Sequence, residues 1–223
     1  MQVKKQKSPK LLLWSVLTLL LVVGIVVFTQ AIFNANYYSN FYVSGESMSP
    51  TLTGDPNDAD YGKYDGHDSA IKNVKRFQIV TTHYPSERSL PEEEKTLKIK
   101  RLLFKPGDTF EVTYVQNDKG EYVNEMHLFI SSTEYRVLDY PFDNSHIKDD
   151  HSYPKTTLSD TQYFVAGDNW DHSLDSFDES VGPLEYSDLV GVVTKVQGRC
   201  RVVDKTITDK RPYRAKIFNG VDY

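Results

Sequence analysis

The chain has 223 residues, of which 39% are hydrophobic and 26% are charged, and its net charge is −5. These values are ordinary for a globular domain, so they exclude wholesale disorder, a collagen-like repeat and a polytopic membrane protein. A single cysteine, Cys200, excludes an internal disulfide framework and a cysteine-rich zinc site. Because binding to nucleic acid phosphates needs clustered Lys and Arg, we expect this acidic chain to have no nucleic acid partner.

A long apolar segment follows a basic N-terminus. Residues 1–10 carry four lysines and no acid, and the segment Leu11–Phe28 contains no charged residue. As a helix this segment spans about 27 Å, close to the roughly 30 Å of a bilayer's hydrocarbon core, and residues 29–33 supply the remainder. We therefore predict a transmembrane signal anchor at 11–33.

The alternative for this segment is a cleavable secretory signal, whose apolar region usually has about 7–15 residues. The segment is longer than that, and no good small-x-small cleavage site stands directly behind it, which favours a retained anchor. Because the lysines precede the apolar run, the positive-inside rule predicts a cytoplasmic tail at 1–10 and an extracytoplasmic domain at 34–223. The expected location is thus the cell membrane, with a single crossing of the lipid bilayer.

The outer domain consists of short segments rich in Val, Ile, Phe, Tyr and Thr, separated by Gly, Pro, Asp and Asn. This pattern predicts a mainly β fold with an antiparallel sheet, because no segment outside the anchor has a sustained helical period. Polar loops are predicted at Thr53–Asn73 and Ser86–Glu94, and a peripheral insertion at roughly 116–160, whose most polar part is Asp139–Asp160. The predicted strands are Phe41–Val43, Phe77–Val80, Leu97–Phe104, Phe110–Val115, His127–Ile130, Gln162–Ala166 and Leu189–Val196.

Three polar segments are candidates for chemistry. The first, Gly45–Leu52, holds Ser47 in a turn where a rigid backbone can present the hydroxyl and aim N–H groups at an oxyanion. The second, Lys98–Asp108, is a strand that runs into a Pro-Gly turn, and the third is the polar stretch Ala166–Ser176. Each also has a simpler interpretation. Serine near glycine and proline is usually only a turn, strand alternation puts the lysines of the second segment on a solvent face, and the third reads as a polar turn.

Together the three segments resemble the conserved boxes of the bacterial type I signal peptidases, which use a serine nucleophile and a lysine general base. The resemblance rests on their order, the N-terminal anchor and the motifs Gly-x-Ser-Met-x-Pro-Thr-Leu, Lys-Arg…Pro-Gly-Asp and Gly-Asp-Asn…Ser-x-Asp-Ser, and it covers nearly all of the outer domain. The spacing of anchor and serine resembles the Gram-positive branch. The resemblance implies cleavage of signal peptides from exported preproteins, without a metal or other cofactor, after small side chains.

Carried over position by position, Ser47 resembles the nucleophile, Lys100 the general base, and Ser173 the hydroxyl that orients the lysine. The remaining assignments are Asp168, Asp175 and Arg101 as supporting residues, the Ser47 N–H and Gly45 as the oxyanion hole, and Met48 and Pro50 as substrate contacts. A lysine with an ordinary pKa near 10.4 is protonated at neutral pH and accepts no proton. We therefore expect Lys100 to be desolvated and to contact the Ser173 hydroxyl rather than the Asp175 carboxylate, which would raise its pKa.

The third segment departs from the family pattern where relatives commonly carry arginine after Gly-Asp-Asn and after Asp-Ser. Those two places hold Trp170 and Phe177, and His172 stands where the family has an intervening Asn. Asp175 therefore lacks a local cation, and Arg101 is the available partner of Asp168. The departures suggest a specialised substrate set, such as pilus or other surface proteins, by analogy alone.

Weaker alternatives remain at the same residues. A triad of Ser47, His172 and Asp171 is conceivable, but the presence of Lys100 makes it unnecessary. The histidines show no metal spacing, and the aspartates between Asp55 and Asp68 fit no EF-hand register, so we expect no metal. A different class of function is a non-catalytic relative that keeps the peptide cleft and helps assemble surface fibres.

Overall fold

The computed structural model describes residues 9–217 and residue 220, in two compact units, Met1–Ser39 and Asn40–Tyr223. The first unit contains helix α1, Pro9–Tyr37, of which Leu12–Ile32 is long and apolar enough to cross a membrane. The hydroxyls of Ser15, Thr18 and Thr29 donate to carbonyls of the preceding turn, so they need no outside partner. The predicted N-terminal apolar helix is thus present, whereas the three lysines before Ser8 lie outside the described residues.

The second unit is built mainly from β-strands. In chain order the elements are β1 Tyr38–Tyr42, β2 Ala59–Asp65, helix α2 Asp68–Lys72, β3 Ile79–Thr82, β4 Lys98–Phe104, β5 Thr109–Gln116, β6 Tyr122–Phe129, β7 Tyr135–Leu138, β8 Tyr153–Thr157, β9 Gln162–Ala166, β10 Leu184–Glu185, β11 Leu189–Val203 and β12 Thr206–Lys216. Short 3₁₀ turns lie at Pro85–Glu87, Glu92–Glu94, Trp170–His172 and Tyr186–Asp188.

The strands form two sheets. The larger has the order β1-β2-β11-β3-β4-β9-β10, with β12 also paired to β11, and the smaller has the order β7-β6-β5-β8. The pairs β3–β4, β4–β9 and β5–β6 are antiparallel, as are the pairs of β11 with β2, β3 and β12. The prediction of a mainly antiparallel β fold is confirmed.

An aromatic core joins the strands on either side of the turn that leads into the small sheet. The rings of Phe104 and Phe110 stack with their centroids 3.9 Å apart, and Phe164 meets the Phe110 ring edge-on at 4.9 Å. All three side chains are fully buried, so each removes a large apolar area from water. The insertion predicted at roughly 116–160 stays a prediction, and the small sheet begins before it, at Thr109.

The prediction of a loop at Thr53–Asn73 is wrong for most of this stretch, because it contains β2 and α2. Its aspartates suggested a solvated segment, yet Asp60 is fully buried on β2. Gly62 on the same strand has no room for a side chain, since a Cβ would lie 2.2 Å from Lys195 O. The ion pair of the buried Asp60 with Arg199 and the close backbone approach at Gly62 therefore override the low strand propensity of Asp and Gly.

Candidate active site

Ser47 lies in the loop between β1 and β2, residues 44–54, here called the nucleophile loop. Gly45 has a φ of +80°, a conformation that glycine adopts without strain, and a Cβ on Gly54 would lie 2.1 Å from Gly45 O. The loop therefore closes tightly on itself. Met48 is fully buried beneath it, and Leu52 N donates to Met48 O at 2.8 Å, which fixes the backbone that carries Ser47.

The base of the nucleophile loop is held by Asp60, a residue that sequence reasoning left in a solvated loop. Asp60 N donates to Thr53 O at 2.8 Å, and Thr53 N donates to Asp60 Oδ2 at 2.9 Å. The other carboxylate oxygen accepts from Arg199 Nε at 3.0 Å and from the Tyr213 hydroxyl at 2.6 Å. Because these partners lie far along the chain, no local pattern signals them.

Lys100 lies on β4, between β3 and β9, and only 4% of it is exposed. Its Nζ donates to Ser173 Oγ at 2.8 Å, so the hydroxyl contact expected from the sequence is present. Desolvation lowers the pKa of Lys100 to about 8, although Asp175 opposes the shift. The solvent face suggested by alternation is wrong for this lysine, because β4 is a central strand buried on both faces.

The third segment forms a tight loop, residues 167–176, here called the site loop. Gly167 N donates to Ser173 Oγ at 3.2 Å and to Asp175 Oδ2 at 2.9 Å. A Cβ on Gly167 would lie 2.2 Å from Ser47 O and 2.5 Å from Ser173 Oγ, so only glycine fits there. Asn169 N also donates to Ser47 O at 3.0 Å, which ties the site loop directly to the nucleophile loop.

Two buried acids stabilise the site loop in different ways. Asp168 forms a bidentate pair with Arg101, with both nitrogen–oxygen distances 2.6 Å, as the sequence suggested for this arginine. Asp175 accepts instead from the N–H groups of Gly167 and Phe177. Burial raises the pKa of Asp175, and the nearby Lys100 opposes that shift. The absent arginine is thus replaced by backbone donors.

A cleft of about 610 Å³ contains both Ser47 and Lys100. Met48, a predicted substrate contact, also lines the cleft. Pro50, the other predicted substrate contact, is exposed, and so is the predicted oxyanion residue Gly45 where the nucleophile loop closes. Neither Pro50 nor Gly45 is among the lining residues described. The remaining lining residues are Asn40, Phe41, Tyr42, Val43, Ser44, Glu93, Glu94, Lys95, Thr96, Leu97, Lys98, Ile99 and Lys205. The lining is mixed, with apolar residues such as Phe41 and Ile99 beside charged ones such as Glu93 and Lys98.

Trp170 and Phe177, for which the resemblance implied arginine, are packed together in the aromatic core with ring centroids 4.5 Å apart. His172 is exposed. Asp171, its partner in the alternative triad, lies with its carboxylate 2.9 Å from His151 Nε2 instead. Among the residues that the structure describes, no group of three or more His, Cys, Asp or Glu is arranged to hold a metal.

Comparison with known proteins gives a consistent result. The family model described as signal peptidase, peptidase S26, matches residues 12–197. Signal peptidase I P of Bacillus subtilis subsp. natto is 30% identical over 199 residues, which cover 85% of this chain and 90% of that protein. Signal peptidase I of Bacillus amyloliquefaciens is 28% identical over 177 residues, which cover 78% of this chain and 80% of that protein. The family match includes the nucleophile loop, β4 and the site loop.

Proposed function

Because the chain belongs to the signal peptidase family, peptidase S26, we propose that it is a membrane-bound serine endopeptidase that cleaves signal peptides from exported preproteins. Ser47 is the nucleophile and Lys100 is the general base. The observation that carries this proposal is the buried Lys100 amine, which has a pKa of about 8, contacts Ser173 and lines the same cleft as Ser47.

The reaction is an acyl transfer in two steps. Ser47 Oγ attacks the scissile carbonyl carbon while the neutral Lys100 amine takes the hydroxyl proton, and the resulting ammonium gives that proton to the leaving peptide nitrogen. Water then attacks the acyl-enzyme ester, with Lys100 taking the proton of the water and returning it to Ser47 Oγ. The signal peptide leaves with the new carboxylate, and both partners return to their starting states.

The surrounding residues make this chemistry possible at neutral pH. Burial disfavours the ammonium of Lys100, and a hydroxyl contact at Ser173 orients the amine without the added negative charge of a carboxylate. The Ser47 N–H is the main donor to the oxyanion. Ser173 orients Lys100, while Asp168 with Arg101 and Asp175 with Gly167 keep the site loop in shape.

We further propose that α1 anchors the enzyme in the cell membrane, with the lysines of residues 1–10 on the cytoplasmic side and the domain from residue 34 outside. Ser47 follows the end of the apolar run at Phe28 by 19 residues, so the nucleophile stays near the bilayer surface, where a signal peptide ends. Small side chains are expected at the substrate residue that precedes the cleaved bond and at the residue two positions before that one. Pilus or other surface proteins are the expected specialised substrates.

The test is processing of a preprotein by the purified full-length enzyme in detergent micelles. Wild type is compared with Ser47→Ala and Lys100→Ala, and with two controls outside the site, Ser69→Ala on exposed α2 and Lys105→Ala after β4. We expect both site variants to lose activity by at least about 1,000-fold and both controls to keep it. Equal activity in all five proteins would defeat the assignment, and an inactive wild type would favour a non-catalytic assembly protein.

A further inference from the structure

An irregular segment between β7 and β8, residues 139–152, lies against the site loop and is here called the strap. The strap contacts the site loop at Asp168, where His146 Nε2 lies 3.0 Å from the backbone oxygen, and most closely at Asp171. Lys148 N donates to Asp171 Oδ2 at 2.7 Å, Asp149 N donates to Oδ1 at 3.3 Å, and His151 Nε2 lies 2.9 Å from Oδ1. Burial acts to raise the pKa of Asp171, but these hydrogen bonds outweigh it and the pKa is lowered. The carboxylate is therefore charged and held by the strap.

The strap itself is fixed to the small sheet. The buried side chain of Asn124 on β6 donates through Nδ2 to Asp149 O at 3.0 Å and accepts from His151 N at 2.9 Å. The hydroxyl of Tyr114 on β5 donates to Lys148 O at 2.6 Å. Asp171 is thus tied through a few hydrogen bonds to a sheet, which is a rigid support.

Asp171 lies two residues before Ser173, in the 3₁₀ turn Trp170–His172. The turn continues directly into Ser173, whose N donates to Trp170 O at 3.3 Å and whose Oγ accepts from Lys100 Nζ. His151 also meets the Trp170 ring edge-on, with the ring centroids 5.6 Å apart. Because the turn is this short, a displacement of Asp171 displaces the Ser173 hydroxyl as well.

We propose that Asp171 and His151 are positioning residues for the cleavage reaction, and this inference rests on the proposed function. Their contact holds the site loop so that the Ser173 hydroxyl stays within hydrogen-bond distance of the Lys100 amine. Neither residue is among the described residues that line the cleft. Their effect therefore falls on the turnover of bound substrate rather than on its binding, because a misplaced catalytic group slows the chemical step.

The experiment measures kcat and KM of the full-length enzyme on a synthetic signal-peptide substrate for Asp171→Ala, His151→Ala and the double variant. His151→Gln is the conservative variant, because its amide offers an N–H donor toward Asp171. Asp178→Ala is the matched control, since Asp178 is exposed and its carboxylate accepts from Ser180, away from the strap. Far-UV circular dichroism gives the folded fraction of each variant, because His151 contacts the Trp170 ring and its replacement would change Trp170 emission without unfolding.

We expect Asp171→Ala and His151→Ala to lower kcat about tenfold per folded molecule, with KM changed less than about twofold. The double variant should be no slower than Asp171→Ala, and His151→Gln should recover most of the loss. A kcat of Asp171→Ala equal to that of Asp178→Ala, with an active wild type, would overturn the inference alone. The same holds for a loss that only follows the folded fraction, whereas an inactive wild type overturns the proposed function as well.

Discussion

The Lys100 amine determines how activity depends on pH. Its pKa is lowered to about 8 by burial, so only about 1% of the enzyme has a neutral base at pH 6 and about half at pH 8. We therefore predict that kcat/KM rises about 50-fold between pH 6 and pH 8 and levels off above pH 9. Initial rates on a substrate without titrating groups check this. A flat profile across that range, or a rise centred near pH 10.5, would contradict a desolvated base.

A carbon added at Gly167 would fall between the two loops that form the site. A Cβ there meets Ser47 O at 2.2 Å and Ser173 Oγ at 2.5 Å, so Gly167→Ala must push apart the two loops that form the site. We predict a loss in kcat of about 100-fold, because a shift of about 1 Å is enough for that. Gly24→Ala is the control, since nothing lies within 4 Å of the added carbon in the structure, and it should retain full activity.

At the scale of elements, Asp60 connects β2 and β11 to the base of the nucleophile loop. Asp60 and Asp58 both pair with Arg199, but the Asp60 side chain is fully buried and that of Asp58 is 43% exposed. We predict that Asp60→Ala lowers the free energy of unfolding by about 3 kcal/mol, because it leaves buried donors unpaired, and Asp58→Ala by less than about 1 kcal/mol. Urea unfolding of both variants measures the difference. Similar losses of unfolding free energy in the two variants would show that burial of Asp60 does not strengthen its contribution to stability.

The same elements show what the sequence could and could not predict. Strand β4 was predicted close to its observed bounds, but alternation placed Lys100 on a solvent face because a single strand does not reveal neighbours on both sides. The resemblance to signal peptidases placed this lysine correctly against Ser173. Strand β2 was missed because Asp60 and Gly62 disfavour strands, and their distant partners compensate. Contacts between residues far apart along the chain are the part that local patterns do not encode.

At the scale of the molecule, burial of Lys100 lowers the stability of the folded protein. The folded pKa of about 8 lies below the usual value of 10.5, so between these values the unfolded chain binds more protons than the folded one. Stability therefore rises with pH across this window, and at pH 7 the buried ammonium costs about 3 kcal/mol. Such a cost is common where a catalytic group must be desolvated.

Replacing this lysine by an apolar side chain should consequently stabilise the protein while abolishing cleavage. We predict that Lys100→Met raises the free energy of unfolding at pH 7 by about 1–3 kcal/mol, with the lost contact to Ser173 offsetting part of the gain. Urea unfolding followed at Trp170 in a Trp14→Phe background measures this, with Lys105→Met as the control.

The pH dependence of that gain separates the charge from simple packing. Between pH 7 and pH 9 wild-type stability should rise by about 1 kcal/mol as Lys100 loses its proton, so the advantage of Lys100→Met should shrink by the same amount. The comparison stays below pH 10 because burial also raises the pKa of Tyr84 and Tyr140, whose ionisation would destabilise the fold at higher pH. An advantage of Lys100→Met that is constant from pH 7 to pH 9 would mean that the amine keeps its proton in the folded protein as it does in the unfolded chain, which would contradict a lowered pKa and a neutral base at these pH values.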